Sequence, residues 1–247
     1  MYLIDGPVLL AEALASQVEI ETLYVEPEAL NHESVWAARA SEIAVREVTR
    51  GALKKVLDLG TPQDMVAVAR QSGATLDGAI GAALASERPL LVLVELQDPG
   101  NAGTLIRVAE ASGCAGVVLT ERTVDLYNPK TVRATAGALF RVLAVTDVGI
   151  DEVLTSCEGA GLATWATVVL DGAAAENAPL SGAGALLVGS EAHGLDAGVV
   201  QRCQVPLTIP MEGEVESLNA AVAGAVVLFE ASRQRRAVEP RTAEASS

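Results

Sequence analysis

The sequence predicts an α/β protein: an open, mostly parallel sheet with helices on both faces, preceded by a smaller α/β unit. Three observations carry this. Short strand-like runs alternate with helical runs along nearly all of the 247 residues. One of them, LLVLVEL from Leu90, is apolar on both faces, as strands inside a parallel sheet are. Between the two alternating series lies QSGATLDGAIGAALASERP (71–89), rich in Gly, Ala and Ser, which reads as the linker region.

In the first series, EIETLYVEP is a strand ended by Pro27, and NHESVWAARA is a helix with Asn31 as its N-cap. SEIAVREV is a second strand, TRGALKKVLDLG a helix stopped by Gly60, and DMVAVAR a third strand. Residues 1–75 are thus expected as one unit and 76–89 as the linker. The second unit is expected over 90–238. After LLVLVEL come the loop QDPGNAG, with Asn101 as a candidate cap, and the helix TLIRVAEASG, closed by Gly113. GVVLT is a strand, NPKTVRATAGALF is helical at its start, RVLAVTD is a strand and IDEVLTSCEGAG a helix. LATWATV, GALLVGS and CQVPLTIP are extended, and Ser217 to Arg236 is one long helix. EPRTAEASS (239–247) reads as a short disordered tail.

Composition narrows the function classes. Half of the residues are apolar, and with aromatics at 3% the core must come from Ala, Val and Leu. A net charge of −15 argues by itself against a nucleic-acid partner. Yet Arg107, Lys130, Arg133 and Arg141, and later Arg233, Arg235 and Arg236, leave local basic patches open. Cys114, Cys157 and Cys203 are odd in number and form no CxxC pair, so neither a disulfide framework nor a zinc site is expected, and no metal. This usage fits a reducing cytoplasm. No segment reaches the ~18 consecutive apolar residues of a membrane span. The start, MYLIDGPVLLAEAL, carries acids and no basic segment, unlike a secretory leader.

In an open parallel sheet, ligands bind beyond the carboxyl ends of the strands. Three loops have that place: DPGNAGTLIR (98–107), VGSEAHGLD (188–196) and IPMEGEVESLNAAVAG (209–224). Each joins Gly, which lets backbone approach a ligand, to small polar residues. DPGNAG lacks the lysine of a phosphate loop and does not match GxGxxG, which argues against a nucleotide-dependent oxidoreductase.

Taken together, DPGNAGTLIRVAEASG, LLVGSEAHGLD and VPLTIPMEGEVESLNAAVAGAVVLFE resemble, in order and spacing, the three signature motifs of the SpoU/TrmH-type RNA ribose methyltransferases. NPKTVRATAGALFRV resembles the segment between the first and second motifs, with Thr135 where the family often has Ser. GPVLLAEAL, LYVEPEAL and TPQDMVAVA resemble more loosely the family's substrate-binding domain, without the short basic segment that usually precedes the Gly-Pro pair. The resemblance implies a SPOUT catalytic domain with a deep trefoil knot, behind a smaller N-terminal α/β domain that binds RNA. It implies S-adenosylmethionine as the cofactor, held at Gly189, Ile209 and Leu218 with Ser190, Glu191, Gly194 and Met211 nearby. It implies a homodimer through the C-terminal domain.

The resemblance also places Arg107 at the reaction centre, gripping phosphate and stabilising the alkoxide; a helix residue in a salt bridge is the other reading. Asn101 would hold Arg107 or the ribose, and Glu191 would orient the second motif or cap a helix. Ser217 would stand at a helix start, and Asn219 would anchor the knot. Lys130 and Arg133, at i and i+3, would meet RNA phosphates or form a solvated face. His193 is expected to pack its loop, His32 to lie at the surface and the cysteines in the core. The function implied is methyl transfer to a ribose 2′-OH, of ribosomal RNA before transfer RNA. The alternative is a non-catalytic RNA-binding or ribosome-assembly factor on the same fold.

Overall fold

The computed structural model describes residues 1–56 and 63–238. The helix stop expected at Gly60 and the tail expected at 239–247 lie outside the described residues.

The first unit is built on β1 (Tyr2–Asp5), β2 (Ile20–Val25), β3 (Ala44–Glu47) and β4 (Met65–Ala69), with α1 (Pro7–Ala15), α2 (Glu33–Ala40) and α3 (Ala52–Val56). The strand order is β1-β4-β2-β3; β4 runs antiparallel to both neighbours, and β2 and β3 run parallel. The sequence reading lacked β1 and α1. YLID is too short to show alternation, and PVLLAEALA is marked by its ends instead. Gly6 takes φ 90, open only to glycine at low cost, and Pro7 opens the helix. α2 starts one residue later than expected: His32, not Asn31, is its N-cap, its Nδ1 accepting from the Ser34 N–H at 3.1 Å. Leu10 and Ala13 of α1, and Val35 and Ala38 of α2, pack on Leu23, Val25, Ala67 and Ala69 in one buried cluster.

The second unit carries α4 (Leu76–Ser86), β5 (Leu90–Leu93), α5 (Pro99–Ser112), β6 (Gly116–Thr120), α6 (Pro129–Ala134), β7 (Ala144–Val148) and α7 (Ile150–Ala160). It continues through β8 (Ala163–Thr167), β9 (Ala173–Ala174), β10 (Gly184–Val188), α8 (Ala197–Arg202), β11 (Val205–Thr208) and α9 (Ala220–Val238). The seven strands lie in the order β7-β6-β5-β10-β8-β11-β9, each parallel to its neighbours. Every residue of β5, β6 and β10 is buried, as strands covered on both faces must be. β10, late in the chain, is inserted between the earlier β5 and β8.

The expected linker at 76–89 is corrected. Its greater part is α4, whose Leu76, Ala79, Ile80 and Ala83 are buried in one cluster with Leu90, Val92, Val153 and Leu154. Those positions follow i, i+3, i+4, i+7, the helical period. The glycines that suggested a linker, Gly78 and Gly81, lie on its exposed side. The last helix begins at Ala220 rather than Ser217, because Asn219 supplies the cap: its Oδ1 accepts from the N–H groups of Ala221 and Val222 at 2.9 and 3.3 Å.

α5 and α9 lie side by side and run the same way. Asn219 at the start of α9 bonds Asn101 in the first turn of α5, and Arg235 near its end donates to the Ser112 carbonyl at 2.9 Å. Between them, Gly224 leaves room for Leu105: a Cβ there would lie 2.5 Å from Leu105 Cδ2. On its other flank α5 meets α6 still more tightly. A Cβ on Gly103 would lie 2.4 Å from Ala134 Cβ and 2.8 Å from the Ala134 carbonyl carbon.

The two units are clamped together. Asp5, buried at the end of β1, accepts from the Arg133 guanidinium of α6 and, on its other oxygen, from the Gln63 N–H at 3.1 Å. Arg141 donates to Glu12 of α1 at 2.6 Å while also holding Glu110 of α5. The rings of Tyr2 and Tyr127 pack at a tilt of 38° with centroids 4.8 Å apart, and the Tyr127 hydroxyl accepts from the Ser72 N–H at 3.0 Å. Burial raises both phenol pKa values, so neither ionises in the physiological range.

Gly103→Ala is expected to lower stability by about 1–3 kcal/mol, the cost of overpacking a close backbone contact. Urea denaturation measures it; a change below about 0.5 kcal/mol would show that α5 and α6 can separate freely.

Candidate active site

The ends of β8, β10 and β11 and the start of α9 enclose a cleft of about 620 Å³, within the range of about 300–1,000 Å³ typical of ligand pockets. Gly189, Ser190, Glu191, Gly194, Ile209, Met211 and Leu218, the residues expected at a cofactor, all line it, with Ser217 and Asn219. So do Thr167, Val168 and Val169, which the sequence reading missed. Their signal was positional: they end a strand two places from β5, beside the point where the chain changes direction in the sheet.

The loop after β10 is a tight backbone hook. The Gly194 N–H donates to the Ser190 carbonyl at 2.9 Å, and the His193 N–H to Ser190 Oγ at 3.3 Å. Gly194 takes φ 66. A Cβ on Gly189 would lie 2.3 Å from the Gly194 carbonyl carbon, so only glycine lets the loop fold back on the strand end. His193, expected to pack this loop, is exposed and holds it only through its backbone.

Three side chains tie the loops into one site. The Asn219 Nδ2 donates to Asn101 Oδ1 at 3.0 Å, and the Asn101 Nδ2 donates to Glu191 Oε1 at 2.8 Å. The direction of this relay is dictated at both ends. A carboxylate can only accept and helix N–H groups can only donate, so each amide has one workable orientation. The positive end of α9 is thereby connected through two amides to the negative charge of Glu191. Asn101 is therefore engaged with Glu191 and Asn219, not with Arg107 as one reading had it. Nor does Asn101 cap α5. Asp98 does, its Oδ1 accepting from the Asn101 N–H at 2.7 Å. Glu191 caps no helix among the described residues.

The basic residues divide. Arg107 and Lys130 are exposed, and neither forms an ion pair with a described carboxylate. Neither lines the cleft. Arg133, expected at RNA phosphates, is held by the buried Asp5. Thr135 is buried and turned back on the Val132 carbonyl at 2.7 Å. Cys157 and Cys203 are buried and Cys114 half-buried; burial pushes the Cys157 and Cys114 thiols up to about 11, which leaves them unreactive at neutral pH. Among the described residues no cluster of His, Cys, Asp and Glu is arranged to hold a metal ion. Among the described residues no helix is long and apolar enough to cross a membrane.

Residues 88–229 match the model of the SpoU rRNA Methylase family, and residues 1–67 that of the MRM3-like substrate binding domain. The chain is 31% identical over 228 residues to the 23S rRNA (guanosine(2553)-2'-O)-methyltransferase RlmP of Bacillus subtilis, covering 92% of this chain and 87% of that one. Its structure is similar to that of the SpoU methyltransferase AviRb from Streptomyces viridochromogenes, with TM-score 0.83, 25% identity and coverage of 96% and 90%. It is also similar to the AdoMet-bound rRNA methyltransferase from Sinorhizobium meliloti, with TM-score 0.81, 27% identity and coverage of 94% and 87%.

Asn101→Asp tests the relay. It sets a second carboxylate against Glu191, so the pair binds a proton more tightly in the folded state than in the unfolded one. Folded pKa values raised in this way make stability fall as pH rises through them. The variant is expected to lose about 1–3 kcal/mol at pH 8 and to recover part of it at pH 5, whereas Asn101→Ala shows no such recovery. Denaturant titrations at the two pH values decide; parallel pH profiles would mean that Asn101 and Glu191 are not in contact.

Proposed function

The chain belongs to the SpoU rRNA methylase family, and from that premise we propose that it transfers a methyl group from S-adenosylmethionine to a ribose 2′-hydroxyl of RNA, ribosomal RNA being the substrate class. The observation that carries this is the relay Asn219–Asn101–Glu191, which draws three sequence-distant loops around one cleft.

The cleft fits the cofactor. Gly189, Ile209 and Leu218 line it, and Leu195, Leu207, Met211 and Val227 offer apolar surface for a purine ring. The hook at Ser190–Gly194 offers polar backbone, and Gly189 lets it approach closely. Bound there, the cofactor supplies a methyl group on a positively charged sulfur, so the protein's part is mostly positioning.

Arg107 takes the reaction centre. A guanidinium stays protonated and makes a poor base, so it grips the phosphate and stabilises the developing alkoxide. Its freedom from any described carboxylate leaves the charge available. Lys130 contacts RNA beside it. Glu191, Asn101 and Asn219 hold the loops in register, and Ser217 stands at the mouth of the cleft. The first unit binds RNA, and the second is catalytic. The late insertion of β10 and the return of α9 onto α5 fit the knotted SPOUT arrangement.

A homodimer through the second unit completes the reading. Val222, Val226 and Phe229 are 48%, 42% and 47% exposed and follow i, i+4, i+7 along α9, an apolar stripe without a partner in the described chain. Phe229→Glu is expected to give monomers by light scattering at micromolar concentration; a monomeric wild type would overturn the dimer.

Mapping of 2′-O-methyl sites in ribosomal and transfer RNA, from cells with and without the gene, tests the function. A missing ribosomal site is expected, and loss confined to transfer RNA would overturn the substrate class. Arg107→Ala is expected to keep calorimetric S-adenosylmethionine affinity within about twofold while transfer falls at least ~100-fold, the scale for losing a charge-stabilising group. Arg107→Lys recovers little, because an ammonium lacks the planar fork. Normal activity per folded molecule would remove Arg107 from the reaction centre.

A further inference from the structure

A chain of net charge −15 that works on RNA must concentrate its binding charge somewhere. Residues 39–55 carry Arg39, Arg46, Arg50, Lys54 and Lys55 against Glu42 and Glu47 alone, a positive run in an acidic chain. Arg50 is spent on Glu28. Arg46, Lys54 and Lys55 are exposed and pair with no described carboxylate.

Strand register shows where these cations stand. Asp5 on β1 faces Val66 on β4, Val66 faces Tyr24 on β2, and Tyr24 faces Arg46 on β3. These residues therefore form one row across one face of the sheet. On the opposite face Leu23 and Val25 are fully buried against α1 and α2. Glu47, next to Arg46, alternates to that opposite side. Tyr24 is half-buried and Arg46 exposed, so the outer part of the row meets solvent.

Both ends of the row are fixed. At the inner end Asp5 grips Arg133 of α6, and Lys130 sits one turn earlier on that helix, exposed. At the outer end the buried Glu26 carboxylate accepts from the Gly51 and Leu53 N–H groups at 2.7 and 3.0 Å. That holds α3, with Lys54 and Lys55, directly beyond the end of β2. From Asp5 to Arg46 is three interstrand spacings, about 14 Å, a span of a few nucleotides.

We propose that this sheet face binds the RNA strand flanking the target nucleotide, with Arg46, Lys54 and Lys55 on its phosphates and a base on the Tyr24 ring. The proposal rests on the RNA methyltransferase reading. It follows from charge complementarity: exposed cations that pair with no described carboxylate select a polyanion, and an aromatic ring among them selects unpaired bases.

The test uses the full chain and an unmodified ribosomal RNA transcript. A variant carrying Arg46→Ala, Lys54→Ala and Lys55→Ala changes only exposed side chains. Its log–log dependence of RNA affinity on salt is expected to flatten by about 2–3, at about 0.7–0.9 per lost phosphate contact. RNA affinity should fall at least tenfold with S-adenosylmethionine affinity unchanged, the loss appearing in KM for RNA rather than in kcat. Tyr24→Leu should weaken RNA binding with the salt slope unaltered, and Tyr24→Phe should restore it. A folded triple variant with the wild-type slope overturns the surface, and the cations then serve only to keep the β3 edge from pairing with other chains. Equal competition by double-stranded and single-stranded RNA overturns the single-strand assignment. A wild type that methylates no RNA overturns the function itself, an outcome distinct from both.

Discussion

Two amides and a carboxylate hold the cleft together. Asn101 lies in the first turn of α5, Glu191 in the loop after β10 and Asn219 at the cap of α9, and each contributes one side chain to a chain of hydrogen bonds with a fixed direction. The direction matters as much as the bonds. Because the relay begins on helix N–H groups and ends on a carboxylate, neither amide can flip without setting like against like. The helices behind it are positioned to suit. α5 and α9 run parallel and are tied at both ends, by Asn101 to Asn219 and by Ser112 to Arg235. Glycines at 103 and 224 bring α5 against α6 and α9 at distances a side chain would forbid. A cleft lined by residues from several separate loops needs this rigidity, since a loop displaced by an ångström misplaces every group it carries.

The acidity of the chain is less of an obstacle than its total suggests. Arg133 and Arg141 are spent joining the two units, and Arg70, Arg202 and Arg233 are spent on surface pairs. Exposed charges more than about 10 Å apart are largely screened at physiological salt. What reaches a polyanion is therefore the local balance at a few exposed cations that pair with no described carboxylate, Arg107 and Lys130 among them. The Arg133–Asp5 and Arg141–Glu12 pairs are also contacts by which the first unit meets the second.

Much of this was legible from the residues. The alternation of strands and helices, the apolar β5 and the three loops at the carboxyl edge follow from periodicity and from glycine placement. The cleft lining followed from the resemblance of those loops to a family. What escaped did so for physical reasons. α4 was masked because its glycines, Gly78 and Gly81, read as linker although they lie on the outer face of a helix whose inner face is Leu76, Ala79, Ile80 and Ala83. The caps were misplaced by one to three residues: any of several neighbouring polar residues can cap, and only the fold selects His32, Asp98 and Asn219. Arg133 was expected on RNA because its partner, Asp5, lies 128 positions away. Long-range pairing of that kind leaves no local trace.

The relay also sets the order in which the molecule can become competent. Asn101 waits for Glu191 across 90 positions and for Asn219 across 118. Contacts of such sequence separation form late and slowly, because loop closure must be met before they return any stability. During synthesis the first loop is made, and its helix can form, long before either partner leaves the ribosome. The site thus stays open until the last long helix is complete and has settled beside α5. A nascent or truncated chain that ends before Asn219 lacks both the relay and the residues Asn219, Ala220, Ala223 and Val227 that close one side of the cleft.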